Sequence, residues 1–276
     1  MTGRPDLILV IHLPPTPGAP SYTLAPRPTP PGGAVERAVA EARAAEEAGY
    51  TGVIIENYGD APYPPRPHPG AVALAAIAAW EVARSTSLEV GLSLLRNAPR
   101  EAIQAAAAAG ARLVRVNALC APRVTPEGLV GPSLREAAEA LASVGGGVEV
   151  LADVDVKHGL PASPGYSVEW EIAECAHRRG PLRLRGVALT GPRTGEPPAR
   201  GYVEAASRAA RAHGLRVYLA SGASPGVLRG LAGLIDGVVV GSYVRSGGRA
   251  GAPLDPRRLR ALAAAAREAL GGGGGV

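Results

Sequence analysis

Short β-branched or leucine-rich runs alternate along the chain with Ala/Arg/Glu-rich stretches of helical period, and eight such pairs follow one another. The predicted strands are Leu7–His12, Gly52–Glu56, Glu89–Leu94, Leu113–Asn117, Glu149–Asp155, Gly186–Thr190, Arg216–Ala220 and Gly237–Gly241. Helices are predicted over roughly 34–48, 70–85, 99–109, 133–144, 168–179, 202–213, 224–231 and 256–270. Pro99, Pro225 and Pro256 stand where helices begin, a position at which a missing N–H costs nothing. Strict alternation of this kind implies parallel strands joined by right-handed crossovers, and eight units close on themselves. The expected fold is α/β, a (β/α)₈ TIM barrel forming one domain over residues 1–270. An open doubly wound sheet is the alternative.

Two connections depart from the usual 2–6 residues. The first βα loop, 13–33, contains eight prolines and reads as a rigid lid or a disordered insertion on the catalytic face. Residues 118–131 read as a small excursion after the fourth strand, and the glycine run 271–276 as a disordered tail.

Side-chain alternation on the fifth strand carries the first chemistry. Leu151, Asp153, Asp155 and Lys157 fall on one face, and Val150, Ala152, Val154 and Val156 on the other. The apolar set belongs against the helices, so Asp153, Asp155 and Lys157 are expected inside the barrel. The same alternation turns Arg115 and Asn117 of strand four and Glu56 of strand two inward. Charges in such an interior persist only if paired, hydrogen-bonded or bound to a ligand or metal. A buried salt-bridge lattice without chemistry is the plain alternative, but Glu56, Asn57, Asn117 and Lys157 stand at strand ends, where barrel active sites are built.

Lys157 is expected as base or Schiff-base amine, with Asp153 and Asp155 setting its charge; two carboxylates favour the protonated form, which weakens the Schiff-base option relative to an electrostatic or phosphate-contact role. Glu56 or Asp60 would be the complementary acid. Asp153, Asp155 and Glu56 also form a candidate oxygen-rich site for Mg²⁺ rather than Zn²⁺. His12 and His158 close strands one and five and are candidates for the same cavity. Tyr58 and Tyr63 are expected at the mouth, while Trp80 and Trp170 are read as packing residues of helices. On the far side, Ser221, Gly222, Ala223 and Ser224 follow strand seven, and Gly241 and Ser242 follow strand eight. Loops at these two places recurrently bind phosphate in this fold, and Ser224 can cap the helix that Pro225 starts.

Composition narrows the classes. The chain of 276 residues carries a net charge of +5, with 28 Arg, a single Lys and three Asn. The arginines are spread over many helices and aromatics are few, so no nucleic-acid stripe emerges. The scarcity of Asn, Gln, Met and Cys fits a GC-rich genome or a thermophile. Cys120 and Cys175 make neither a CxxC pair nor a disulfide framework, which points to two small core fillers and a cytoplasmic protein. The apolar run Leu7–Leu13 is too short for a signal or transmembrane segment.

At these residues the chain resembles the BtpA/SgcQ family of barrel proteins over nearly its whole length. The resemblance is carried by Ile11-His12-Leu13-Pro14, Glu56-Asn57-Tyr58-Gly59-Asp60-Ala61-Pro62-Tyr63, Leu95-Arg96-Asn97 and Arg115-Val116-Asn117. It continues through Ala152-Asp153-Val154-Asp155-Val156-Lys157-His158, Thr190-Gly191 and Asp236-Gly237 to Val240-Gly241. It departs at Ser93, where the family usually has Asn, and at Ala98, where it often has Asp. The resemblance implies a barrel related to the ribulose-phosphate-binding group; His12, Asn57, Asn97, Arg115, Asn117, Thr190 and Gly191 are the expected ligand-binding residues. Two functions follow as expectations. One is an enzyme acting on a small phosphorylated sugar or nucleoside-like compound as isomerase, lyase or hydrolase. The other is a non-catalytic assembly factor, since the family's cyanobacterial namesake supports photosystem I accumulation and associates with membranes; peripheral membrane attachment and a homo-oligomer are compatible with that role.

Overall fold

The computed structural model of the chain describes residues 6–24 and 29–271. Eight parallel strands close into a barrel: β1 (Asp6–His12), β2 (Gly52–Glu56), β3 (Glu89–Ser93), β4 (Leu113–Val116), β7 (Glu149–Val154), β9 (Leu184–Leu189), β10 (Arg216–Leu219) and β11 (Gly237–Val240). Each pairs with its chain neighbour, and β11 returns to β1 in register Asp6 with Gly237 through Leu9 with Val240. The outer helices are α2 (Pro31–Ala48), α3 (Pro69–Ser85), α4 (Pro99–Ala108), α5 (Leu134–Ser143), α6 (Val168–Arg178), α7 (Arg200–Ala212), α8 (Pro225–Gly230) and α9 (Pro256–Gly271). Proline at the first position of five of these sets their start, and moves α2 three residues into the expected loop. Gly271 ends α9, and the rest of the expected tail lies outside the described residues.

The β period sorts the core into two shells. Ile8, Val10, Ile54, Leu113, Leu151, Tyr218 and Val239 fill the barrel. Leu7, Leu9, Ile11, Val53 and Ile55 point the other way, against alanine faces such as Ala71, Ala75, Ala78 and Ala79 of α3. Small helix residues let the backbones approach closely and keep the interior dense. The lower end of the barrel holds a closed charge lattice: Arg185 joins Glu89 and Glu149, while Arg216 and the Tyr218 hydroxyl both bind Asp6, at 2.7 and 2.6 Å. The plain salt-bridge lattice expected as an alternative therefore exists, but at the end opposite the strand C-termini.

The first loop is neither free nor disordered where it is described. Leu13, Thr16 and Ala19 are buried, and Asp60 accepts from the Thr16 N–H at 2.8 Å and its hydroxyl at 2.9 Å. A short helix, α1 (Pro20–Leu24), follows. Gly59 makes this possible, since a Cβ there would sit 2.3 Å from Pro15 N. The excursion after β4 forms an antiparallel pair, β5 (Arg123–Thr125) and β6 (Gly128–Val130), to which β8 (Leu160–Pro161) from the connection after β7 adds a third strand beside β5.

Two packing expectations are corrected. Trp80 and Trp170 are 52% and 44% exposed, because α3 buries an alanine face, α6 buries Val168, Glu171, Ile172 and Cys175, and both indoles are left outside. Cys120 and Cys175 are disulfide-bonded across a separation of 55 residues, joining the post-β4 excursion to α6; spacing alone could not reveal a pair that only the βα topology brings together. Closing so long a loop restricts the unfolded chain. Replacing both cysteines by alanine is expected to lower the unfolding free energy by about 2–4 kcal/mol, measured by denaturant unfolding under non-reducing conditions. An unchanged value would mean the link contributes nothing to stability.

Candidate active site

The C-terminal ends of the barrel strands enclose a cavity of about 750 Å³, within the range of small-molecule sites. Glu56, Arg115, Asn117, Lys157 and His158 line it together with the loops after β10 and β11, and His12 lies beside Gly241 of the latter loop. Tyr58 and Tyr63 stand at its wall as expected.

Arg115 and Asp153, inward-facing on adjacent strands, make a two-pronged ion pair, Nε to Oδ1 at 2.8 Å and Nη2 to Oδ2 at 3.1 Å. Asn117 donates to Asp153 Oδ2 at 2.7 Å, so the aspartate is fully engaged. The other Asn117 amide atom, Oδ1, is buried and has no partner.

Asp155 is not inside the barrel. Strand β7 ends at Val154, and Asp155 takes a left-handed backbone, φ 49°, which breaks the alternation that aligned it with Asp153. Its carboxylate turns to Arg123 at 3.7 Å, and its N–H donates to Glu171 Oε2 at 3.1 Å. Arg123, Glu171 and Tyr166 form a buried cluster outside the barrel beside α6. With Asp153 held by Arg115 and Asp155 turned away, the expected Mg²⁺ carboxylate trio is not assembled. Among the described residues no group of three His, Cys, Asp or Glu side chains converges on a metal position.

Lys157 does reach the cavity, by a route other than strand alternation. Its N–H donates to Thr190 Oγ1 at 2.8 Å, its carbonyl accepts from Arg96 Nη2 at 3.1 Å, and Thr190 also donates to the Asp155 carbonyl at 3.0 Å. The backbone is thus pinned while the side chain projects free. Burial, reinforced by the charge of Arg115 and then of Arg96, holds the Lys157 amine below the ordinary lysine value; Glu56 and Asp153 oppose this only in part. Of the two carboxylates expected to set its charge, Asp155 is turned away and Asp153 is bound to Arg115, so neither pairs with the amine.

His12 accepts at Nδ1 from the Gly251 N–H at 3.1 Å, packs against Tyr58, and presents Nε2 to Glu56 Oε1 at 4.0 Å. Burial, followed by the charges of Arg245, Lys157, Arg37 and Arg115, pushes its pKa well below 6.5, so it is neutral with its proton on Nε2. His158, also left-handed at φ 62°, meets Thr194 Oγ1 at 3.0 Å; burial and the Lys157 charge lower its pKa too.

Other expected ligand contacts prove to be clamps that shape the rim. Asn57 donates to Asp60 at 3.0 Å and accepts from the Leu95 N–H at 2.7 Å, and Asp60 is occupied by Thr16. Asn97 accepts from the Ala118 N–H at 3.0 Å and donates to its carbonyl at 3.1 Å. Thr190 holds the Lys157 backbone, and Gly191 lies against Glu196, a Cβ there coming within 2.0 Å of its carbonyl oxygen. None of these five lines the cavity. Arg96, which also meets Glu127 at 3.5 Å, and Arg258 line it without having been singled out. The signal for Arg96 was its place beside Asn97 at the end of strand three.

Ser221, Gly222, Ala223, Ser224, Gly241 and Ser242 all line the wall. Gly222 has φ 65°, and a Cβ would fall 2.1 Å from Pro197 N, so only glycine fits where this turn packs against the loop after β9. Ser224 accepts from the Val227 N–H at 3.4 Å, capping the short α8. Arg245 braces the second loop: buried, it binds Glu41 at 2.9 and 3.2 Å, Gly241 O at 3.1 Å and Val10 O at 2.8 Å.

A family model described as "BtpA family" matches residues 4–268. An uncharacterized protein of Pyrococcus abyssi is 33% identical over 251 residues, covering 90% of each chain. The "Photosystem I biogenesis protein BtpA" of Synechocystis is 32% identical, covering 86% of this chain and 80% of that one. In shape the chain is similar to phosphoribosyl anthranilate isomerase from Thermus thermophilus, with TM-score 0.55, 17% identity, and coverage of 95% and 98%.

Because Asp153 is satisfied without Lys157, Lys157→Met is expected to fold with an unchanged or raised melting temperature. Arg115→Met strands Asp153 and is expected to cost about 3–5 kcal/mol, both read by thermal and denaturant unfolding. Equal losses would place Lys157 in the ion pair. For His12 the folded pKa is depressed, so the unfolded chain takes up a proton near pH 6.5 that the folded chain refuses. Stability then falls as pH drops below 6.5, by up to about 1.4 kcal/mol per unit, and His12→Gln flattens that part of the profile. A parent and variant with parallel profiles would contradict the neutral, buried histidine.

Proposed function

The chain belongs to the BtpA family, and from the cavity it carries we propose that it is an enzyme acting on a small phosphorylated sugar or nucleoside-like compound. The observation carrying this reading is convergence: the two Gly/Ser loops after β10 and β11 and the Lys157 side chain line one cavity. The loops suit a phosphate group by N–H donation, with the Arg258 guanidinium beside them. The remainder of such a compound would extend toward Lys157, Asn117, Glu56 and His12. An amine, a carboxylate and a neutral imidazole in a confined space are the parts for proton transfer or amine addition. Isomerase, lyase or hydrolase chemistry are all within their reach. Phosphoribosyl anthranilate isomerase is similar in fold only, and fold carries no reaction.

The second reading is an assembly or stabilising factor, favoured by the name of the Synechocystis relative and by one surface feature. Leu129, Val124 and Leu160 are cross-strand neighbours on one face of the small sheet and are 72%, 49% and 71% exposed. Such a stripe would serve a membrane surface or a second copy. No helix among the described residues is long and apolar enough to cross a membrane. A cytoplasmic setting fits the family's presence in Pyrococcus, since intracellular proteins of hyperthermophilic archaea commonly keep disulfides.

Calorimetric titration with ribose 5-phosphate and with inorganic phosphate tests the leading reading. Saturable binding is expected, weakened at least tenfold in Ser242→Asp, which places a negative charge where the phosphate would lie. Absence of binding for both ligands, or equal binding by the variant, would remove the phosphate assignment and favour the assembly role.

A further inference from the structure

Lys157 stands apart from every other charged group lining the cavity wall. Its main chain is held by Thr190 and Arg96, yet no carboxylate lies within 4.0 Å of its amine among the described residues. Both carboxylates that could neutralise it are directed elsewhere, Asp153 to Arg115 and Asn117, and Glu56 toward His12 Nε2. Beside it, Asn117 is 7% exposed and keeps its Oδ1 unpartnered. An amide held by one end and open at the other is built to accept a hydrogen bond from something that enters the cavity. The phosphate-suited loops line the same cavity.

Resting on the phosphate reading above, we propose that Lys157 is a covalent catalyst that condenses with the carbonyl carbon of a phosphorylated aldehyde or ketone. The neutral amine attacks the carbonyl carbon, forming the C–N bond. The former carbonyl oxygen then leaves as water, carrying the two amine protons, and a C=N bond remains. Once protonated, that bond draws the electron pair released when an adjacent C–H or C–C bond breaks. Asn117 Oδ1 accepts from a hydroxyl of the adduct or from its N–H. Glu56 takes the released proton, from the adjacent carbon or, when a C–C bond breaks, from the adjoining hydroxyl. It returns the proton to a carbon of the resulting enamine, which restores the C=N bond. Hydrolysis of the C=N bond by water returns the amine. Burial and the nearby guanidinium charges of Arg115 and Arg96 lower the amine's pKa from its ordinary value, a shift in the direction of the nucleophilic neutral form.

Lys157 is the single lysine of the chain, so its only competitor is the N-terminal amine. The full chain would be incubated with glyceraldehyde 3-phosphate or dihydroxyacetone phosphate, reduced with borohydride, and read by intact mass and peptide mapping. One reduced ligand on Lys157 is expected, at least tenfold above labelling of the N-terminus, with none at position 157 in Lys157→Arg. Inorganic phosphate and the Ser242→Asp change should each reduce labelling at least tenfold. No Lys157 adduct with either phosphorylated carbonyl, or labelling no greater than at the N-terminus, overturns the proposal. Unphosphorylated glyceraldehyde labelling Lys157 as well as its phosphate ester would uphold the covalent amine and overturn the phosphate site, so the two readings fail separately.

Discussion

The pairing of Arg115 with Asp153 governs what the mouth of this barrel can do. A charged pair inside a barrel is tolerated because two parallel bonds and the Asn117 amide satisfy the carboxylate. Because Asp153 is bound to Arg115, it does not pair with Lys157, whose amine is shifted below its ordinary value by burial first and then by the Arg115 charge. The cavity therefore presents free positive and hydrogen-bonding capacity upward, whereas the lower end closes its charges on themselves through Arg185 and Asp6. The two ends of one barrel thus differ in how fully their charges are satisfied by one another.

Around that pair, the loops are arranged as supports. Asp60 fastens the proline-rich first loop through Thr16, Asn57 joins β2 to the end of β3, and Asn97 joins the β3 end to Ala118 after β4. Thr190 then fixes the Lys157 main chain from β9. Each clamp crosses between neighbouring βα units, so the rim behaves as one ring rather than as eight independent loops. Arg245 does the same between β1, α2 and the loop after β11. A site assembled in this way is preorganised, which is where binding and catalysis gain most.

The barrel was legible because hydrophobic period 2 and period 3.6 alternate without interruption, and proline marks the helix starts. The inward places of Glu56, Arg115, Asn117 and Asp153 followed from the same period. Asp155 did not, because alternation holds only while the strand lasts, and its left-handed backbone ends the strand one residue earlier. Lys157 returns to the cavity after that turn, so its position was read correctly for an incomplete reason. Asn57, Asn97 and Asp60 were legible as rim residues but not as clamps, since hydrogen-bond partners 38, 21 and 44 positions away leave no local trace. The Cys120–Cys175 bond is of the same kind.

The central claim is that Lys157 is an amine without a counter-ion, and a single-lysine chain allows that to be read directly. NMR titration of ¹³C-dimethylated or ¹⁵N-labelled Lys157 in the folded protein follows one side-chain resonance. A midpoint clearly below that of a solvent-exposed lysine treated in the same way, and lower still in Glu56→Gln, is the predicted result. A midpoint at or above the exposed value would mean that Asp153 or Glu56 pairs with the amine after all, and would contradict the account.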